Sequence, residues 1–218
     1  MSGTDRRTVR LAPQMAAVGT LALALMSAAS SGWAQELSVT PQNADDTAIG
    51  VCGTCHGPDG NSINPMFPRL AGQHAGYLVR QLKSFKEHSR GDPYAIAFMW
   101  GMASGLSDET IDALAQYYAR QKAGPGRNHD VSTIARGRDV YEHGVPSQGV
   151  PACAACHGAA ARGNDMFPRL AGQHAEYILK QLASFQSNMR NVAIMHGVAQ
   201  NLRTPEMQAV ADYLESLP

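Results

Sequence analysis

All four cysteines of the chain lie in two copies of one short pattern, Cys-x-x-Cys-His. The first copy reads CGTCHG at residues 52–57, and the second reads CAACHG at residues 153–158. A histidine directly after Cys-x-x-Cys is typical of covalent c-type haem attachment. The two thiols add to the vinyl groups of one porphyrin, and the histidine on the same helical turn becomes the proximal iron ligand. The sequence therefore predicts two covalently bound haem c groups. The residues predicted to hold them are Cys52, Cys55, His56, Cys153, Cys156 and His157.

Three other interpretations of the cysteines are less favoured. A Cys₄ zinc site usually has about 15–20 residues between its two pairs, whereas 97 residues separate Cys55 from Cys153. A thioredoxin-like dithiol expects a nearby βαβ pattern, which the sequence lacks. Disulfides within Cys-x-x-Cys would close loops too small to constrain much of the chain. Haem attachment explains the histidines, which none of these alternatives requires.

The repeat extends well beyond the cysteines. MFPRLAGQHA occurs at Met66–Ala75 and again, letter for letter, at Met166–Ala175. Such self-similarity indicates a tandem duplication. In each copy a short helix leads into the haem motif, a loop rich in Gly and Pro follows, and an amphipathic helix and a closing helix come last. No strand pattern is present, so the predicted fold class is all-α.

Helix boundaries can be predicted from local signals. Apolar residues at helical spacing predict amphipathic helices over Tyr77–His88 and Tyr177–Asn188. Ser107 is a good N-cap for the first closing helix, and we expect Thr204 to cap the second, with Pro205 at the first helical position.

The N-terminus has the layout of a cleavable export signal. Three arginines precede an apolar run over about residues 15–29, which is shorter than the ~20 residues of a spanning helix. Gly and Pro concentrate at Lys122–Asp130, which is typical of a linker. We therefore divide the chain into a signal peptide (1–34), a first domain (35–121), a linker (122–130) and a second domain (131–218). The mature chain keeps 15 basic and 17 acidic residues, so nothing in its charge indicates nucleic-acid binding.

The sixth iron ligand decides the chemistry of each haem. Met opposite His gives an iron suited to electron transfer, whereas an open position favours ligand binding. Met99 and Met195 align between the copies, 43 and 38 residues after their histidines. We expect both to lie in an irregular stretch before the closing helix and to be the sixth ligands. Met102 aligns with Val198, so it cannot serve both domains.

Other candidate ligands fit less well. Met66 and Met166 lie ten and nine residues after their histidines, too close to reach the other haem face easily, so edge or core packing is expected. His74 and His174 recur beside a glycine at a helix start, which favours surface or capping roles. His196 aligns with Trp100, so a second histidine ligand at this position would serve one haem only. The three histidines without a repeat partner are expected to be exposed: His88, His129 and His143.

Two haem motifs, the twice-used FPRLAGQ, the MxG segments and the export signal together resemble the dihaem cytochrome c4 family over nearly the whole mature chain. The resemblance implies two class I cytochrome c domains related by a pseudo-twofold axis, with both irons His/Met ligated. FPRLAG also resembles the Pro-containing loop of single-domain cytochromes c, where a proline carbonyl accepts from the proximal His. Pro68 and Pro168 would then orient His56 and His157, and Arg69 and Arg169 could meet haem propionates or lie in solvent.

The same resemblance implies a soluble or peripherally membrane-associated electron carrier of the bacterial periplasm. Electrons would pass, one per haem, from a quinol-oxidising cytochrome bc complex towards a terminal oxidase. An alternative is the dihaem subunit of a larger flavoprotein or quinoprotein dehydrogenase. A third is a dihaem peroxidase, which needs an open sixth position. The segment before Met195 is four residues shorter than that before Met99, so the two haems are expected to differ in exposure or potential.

Overall fold

The computed structural model of the protein describes residues 40–218. The predicted signal peptide (1–34) and the start of the predicted first domain lie outside the described residues. Within residues 40–218, no helix is both long and apolar enough to cross a membrane.

The first half is built from short and long helices. A 3₁₀ turn at Pro41–Asn43 leads into α1. The other elements, in chain order, are α1 (Ala44–Thr47), a π-helical segment (Ala48–Cys52), α2 (Gly53–His56), α3 (Ala75–Lys86), a second π-helical segment (Ala95–Met99), α4 (Trp100–Ala103) and α5 (Asp108–Arg120).

The second half repeats this order with a longer opening helix. Its elements are α6 (Val131–His143), a 3₁₀ turn (Pro146–Gln148), α7 (Ala154–His157), α8 (Ala175–Gln186), α9 (Ala193–Ala199) and α10 (Thr204–Ser216). One isolated bridge joins Val145 to Val150, and the described residues contain no strand. The predicted all-α class is therefore confirmed for this part of the chain.

Both amphipathic helices are present, but each begins and ends two residues earlier than predicted. They cover Ala75–Lys86 and Ala175–Gln186. Beyond them, His88 and Asn188 adopt left-handed φ values of 56° and 58°. A left-handed residue after a helix ends the regular hydrogen bonding. The apolar periodicity of the sequence continues past this point, and for this reason the predicted helix ends lie two residues too late.

The two closing helices begin differently. Ser107 Oγ accepts from Thr110 N at 3.2 Å, which confirms the predicted N-cap of α5. The prediction for α10 was wrong, because Thr204 is already helical and Arg203 occupies the cap position without a side-chain bond. Pro205 is tolerated in this first turn because its missing N–H would have no partner within the helix.

Each half has its own apolar core around its closing helix. In the second half, α6 packs along α10, and Gly137 allows this close approach. A Cβ on Gly137 would lie 2.7 Å from Tyr213 Cβ and closer still to the carbonyl of Ala209. The four residues of α1 make a much shorter contact with α5 in the first half.

The halves meet along α3 and α8 through exchanged contacts. Arg90 Nη2 donates to Gln181 Oε1 at 2.8 Å, and Arg190 Nη2 donates to Gln81 Oε1 at 2.7 Å. Such an exchange, in which residue i meets j and j meets i, is what a two-fold axis produces. The expected pseudo-twofold relation is thus visible in the side chains.

The segment predicted to be the linker has no helix and is bonded to both halves. Asn61 accepts from Gly124 N at 2.6 Å and donates to Lys122 O at 3.0 Å. Arg127 N donates to Glu215 O at 3.0 Å. These bonds hold the connection against α10 and against the loop after the first haem motif.

Candidate functional site

The two Cys-x-x-Cys-His motifs form single helical turns, α2 and α7. Each turn ends at its histidine, because the next residue is a glycine with positive φ: 80° at Gly57 and 76° at Gly158. Glycine adopts this conformation without steric cost. The chain then leaves the turn, and both histidine side chains are buried.

A matched hydrogen bond fixes the orientation of each histidine. His56 Nδ1 lies 2.9 Å from Pro68 O, and His157 Nδ1 lies 3.0 Å from Pro168 O. A carbonyl only accepts, so Nδ1 carries the proton and Nε2 keeps its lone pair. Burial lowers the pKa of both rings against the opposing effect of the proline carbonyls. A neutral imidazole with a free Nε2 is the form that binds iron.

The first thiol of each motif differs from the thiol of a reactive dithiol. Burial raises the pKa of Cys52, and burial raises that of Cys153 to about 11. Reactive Cys-x-x-Cys motifs instead have a lowered thiol pKa. All four cysteines are free of disulfides, and no cluster of three or more metal-binding side chains forms anywhere in residues 40–218.

Arg69 and Arg169 flank the narrow cleft between the halves. Arg69 Nη1 donates to Pro125 O at 2.7 Å and to Gly172 O at 3.0 Å, while Arg169 Nη2 donates to Pro218 O at 2.7 Å. In both arginines Nε is buried, and it has no hydrogen-bond partner among the described residues. A buried guanidinium N–H without a partner is rare, and a carboxylate such as a haem propionate fits this donor.

Met99 and Met195 are both half-buried. Contrary to expectation they do not lie in an irregular stretch, because Met99 ends a π-helical segment and Met195 lies within α9. The π-helical segment of Met99 packs against α3, and α9 packs against α8. Both segments follow these helices in the chain, whereas the motif turns α2 and α7 precede them. Met66 and Met166 are exposed and neither belongs to an apolar core, so the core-packing alternative was wrong.

The expectations of a surface position for His174 and of an exposed His129 were wrong, although His174 does occupy the N-cap position of α8, without a side-chain cap bond. His174 is only 1% exposed, with Nδ1 3.1 Å from Glu215 Oε1 and Nε2 2.8 Å from Ser62 O of the other half. His129 is also partly buried, with Nε2 2.8 Å from Glu215 Oε2. Both rings lie within hydrogen-bonding distance of the buried carboxylate of Glu215, and polar pairing of this kind leaves no periodic signal in the sequence.

His74 lies at the boundary as well, with Nε2 2.7 Å from Arg162 O. His196 Nδ1 lies 2.8 Å from Phe185 O. His88 and His143 are exposed, as predicted.

Sequence reasoning missed the polar residues that join the halves. Gln73 and Gln173 stand inside the ten-letter repeat, and Arg90 and Arg190 occupy matching positions after Phe85 and Phe185. Their recurrence was the available signal, but a repeat cannot show whether a residue contacts its own copy or the other one.

Comparison with known proteins gives a consistent result. Residues 42–120 and 134–218 match the cytochrome c family model. The cytochrome c4 of Thiocapsa roseopersicina is 41% identical over 183 residues, which cover 81% of this chain and 92% of that protein. The crystal structure of reduced cytochrome c4 from Pseudomonas stutzeri superposes with a TM-score of 0.73 at 36% identity, covering 82% of this chain and 99% of that one. The thiosulfate dehydrogenase electron acceptor of Thiomonas intermedia is 36% identical over 210 residues, 93% of this chain and 90% of that protein.

Proposed function

Since the chain belongs to the cytochrome c family, within its dihaem cytochrome c4 group, and is an electron-transfer protein with two covalent haem c groups, we propose that it is a mobile carrier. Electrons pass, one per haem, from a quinol-oxidising cytochrome bc complex to a terminal oxidase. The observation that carries the proposal is the matched His–Pro hydrogen bond in both halves. It prepares two equivalent proximal ligands in one chain.

We assign the ligands residue by residue. Haem would be held through thioether bonds to both cysteines of each motif, with His56 and His157 as the proposed proximal ligands and Met99 and Met195 as the proposed sixth ligands of the iron. Each bound haem supplies an iron that exchanges one electron. The chain holds the imidazole orientation through Pro68 or Pro168, which sets ligand strength. A Met ligand in each half would close the sixth position, which suits electron transfer.

Arg69 and Arg169 are assigned to the haem propionates. Their buried, unpartnered Nε atoms support this. The Nη atoms are already bonded to backbone carbonyls of the linker, the other half or the C-terminus. Each arginine would therefore fix a haem edge to the cleft between the halves.

The family and the N-terminal pattern support a proposal for the cellular setting. We place the mature protein in the periplasm, released by cleavage after residue 34, with domains at 35–121 and 131–218 and a linker at 122–130. It works as an electron carrier and not as an enzyme, soluble or peripherally attached to the membrane.

The visible and near-infrared spectrum of the oxidised holoprotein tests the ligand assignment. Two His/Met haems give low-spin ferric iron with a Met–Fe charge-transfer band near the red edge. Met99→Ala should remove about half of this band, and Met195→Ala the other half. Met102→Ala is the matched control and should leave the band intact, since the second half has Val198 at that position. A high-spin haem in the unmodified protein would contradict the closed-carrier proposal.

The dehydrogenase-subunit function is a second candidate, favoured by the similarity to a thiosulfate dehydrogenase electron acceptor over 93% of the chain. Purification from native cells separates the two. A stoichiometric dehydrogenase partner that reduces the haems directly would support the subunit function, whereas a free protein reduced by the cytochrome bc complex supports the carrier. A dihaem peroxidase would instead show one high-spin iron and peroxide turnover.

A further inference from the structure

Gln73 and Gln173 cross the boundary between the halves and bind the same type of backbone group. Gln173 Oε1 accepts from Arg69 N at 2.9 Å, and Gln173 Nε2 donates to Arg69 O at 2.9 Å. In the reverse direction, Gln73 Oε1 accepts from Arg169 N at 2.8 Å, and Gln73 Nε2 donates to Arg169 O at 2.9 Å. The two side chains are 7% and 8% exposed, so water does not compete with these bonds.

Each glutamine acts on the peptide group that orients a histidine. The N–H of Arg69 and the C=O of Pro68 belong to one peptide unit. That C=O accepts from His56 Nδ1 at 2.9 Å. Gln173 of the second half thus bonds to one end of a peptide whose other end bonds to the first histidine.

The second half has the mirror arrangement. The N–H of Arg169 and the C=O of Pro168 share a peptide unit, and that C=O accepts from His157 Nδ1 at 3.0 Å. Here the outer partner is Gln73 of the first half. In each half, two hydrogen bonds on one peptide group therefore connect the histidine to a glutamine of the opposite half.

Hydrogen bonds in such a chain strengthen one another. An acceptor on the N–H end of a peptide draws charge towards its carbonyl oxygen, which then accepts more strongly. A stronger bond at Nδ1 makes the imidazole a more basic ligand. A more basic ligand favours ferric over ferrous iron and so lowers the reduction potential.

We propose that Gln173 is a positioning residue for the haem of the first half and Gln73 for that of the second, so that each half lowers the potential of the haem in the other. The proposal rests on the proposed ligation by His56 and His157. Its distinctive consequence is a crossed response: a change in one half moves the potential of the haem in the opposite half.

The test uses Gln173→Met and Gln73→Met in the full-length holoprotein, with each haem followed separately by NMR during redox titration. Methionine keeps the unbranched shape of glutamine but lacks a strong acceptor and a donor. Gln173→Met should raise the potential of the first haem, with a threefold to tenfold increase in its reduced-to-oxidised ratio at fixed potential, or about 30–60 mV at 59 mV per decade. Gln73→Met should do the same to the second haem only.

Two further variants separate polarisation from loosening of the boundary. Gln173→Glu keeps an acceptor for Arg69 N, so the potential of the first haem should not rise. His74→Ala removes a bond between the halves without touching either peptide, so neither haem should show the crossed rise. If the Met variants moved both haems equally, moved the haem of their own half, or matched His74→Ala, the proposal would be overturned.

The oxidised spectrum keeps this test independent of the proposed function. Unchanged His/Met bands with unchanged potentials in the Met variants would remove the crossed tuning and leave the ligand assignment standing. Loss of imidazole ligation in the unmodified protein would instead remove the ligand assignment first.

Discussion

In the first half, Arg90 Nε donates to Asp92 Oδ2 at 2.6 Å, and both side chains are buried. The matching residues of the second half are Arg190 and Val192, and within residues 40–218 no carboxylate pairs with Arg190. Of these two buried guanidinium groups at the boundary, only that of Arg90 therefore pairs with a carboxylate, which comes from the first half.

A second difference concerns Glu215, a buried carboxylate of the second half. Gly72 N donates to Tyr118 O and Gly172 N to Leu214 O, so Glu215 of α10 corresponds to Ala119 of α5. Glu215 is buried against His174, whereas the side chain of His74 lies against a backbone carbonyl, that of Arg162. The buried arginines and the uncharged frame of the two halves are repeated, but the buried carboxylates Asp92 and Glu215 are not. Two haems with the proposed His/Met ligands would consequently lie in different electrostatic surroundings.

The largest expected effect of this asymmetry concerns positions 92 and 192, where each half can be given the residue of the other. Asp92→Val gives the first half the residue of the second and leaves two buried guanidinium groups without a carboxylate. Removing one partner of a buried ion pair costs about 3–5 kcal/mol, which denaturant unfolding of the holoprotein measures. Val192→Asp adds a partly exposed carboxylate, and its effect should stay within about 1 kcal/mol. Equal losses for the two variants would contradict the asymmetry.

The opening helices allow a second comparison, at Gly137 in α6 and at Gly50 beside α1. Gly137→Ala forces a methyl group into the backbone of α10, and overpacking of this kind costs about 1–3 kcal/mol. Gly50 has open space where a Cβ would stand, so Gly50→Ala is the matched control and should change stability by at most about 0.5 kcal/mol. The free energies of unfolding of both variants test this, and a stable Gly137→Ala protein would argue against the tight α6–α10 crossing.

The buried carboxylate of Glu215 predicts how stability depends on pH. Burial alone would raise the pKa of Glu215, but hydrogen bonds from His174 and His129 outweigh it, and the pKa lies below its ordinary value of 4.5. A carboxylate with a lowered folded-state pKa stabilises the fold above pH 4.5, and this stabilisation is lost as the pH falls through the folded-state value. Glu215→Gln should therefore be less stable than the unmodified protein at pH 7, with the difference shrinking under acidic conditions.

An exposed carboxylate of the same half provides the control for this pH effect. Glu142→Gln in α6 should change the free energy of unfolding at pH 7 by at most about 0.5 kcal/mol, because its side chain is exposed. A profile for Glu215→Gln that runs parallel to that of the unmodified protein from pH 7 to pH 3 would show that the buried carboxylate contributes nothing to it.

The smallest expected difference concerns the loop that follows each motif. Leu70 N donates to Gly60 O and Leu170 N to Ala161 O, so these residues correspond, with φ values of 77° and 53°. A left-handed alanine costs about 1–2 kcal/mol, partly offset here by burial of its methyl group. Ala161→Gly should raise the free energy of unfolding by about 0.5 kcal/mol. Gly60→Ala should lower it, since the new Cβ would lie 2.7 Å from Tyr118 Cδ1.

Much of this molecule can be predicted from the repeat. The helix order, the motif turns and the pairing of Met99 with Met195 all follow from laying one copy over the other. Within each half the relevant spacings are short and periodic, and hydrophobic burial imposes that periodicity.

The boundary between the halves could not be predicted in this way. Gln73 and Gln173 stand in identical stretches of sequence. The sequence therefore cannot show whether each glutamine contacts its own copy or the other copy. The inward position of His174 depends on Glu215, 41 residues later, and on a carbonyl of the other half. Single polar contacts over such separations have no periodicity to detect.

The exchanged glutamine contacts at the boundary also bear on how the protein can evolve. In a dimer of two identical chains, every substitution at a two-fold interface appears twice, and a buried charge gained on one side is gained on both. Joining the halves in one chain removes that restriction. A carboxylate can then arise at position 92 or 215 in one half alone, while the contacts of Gln73 and Gln173 between the halves are kept. The duplicated carrier can therefore diversify its two redox centres independently without first giving up their association.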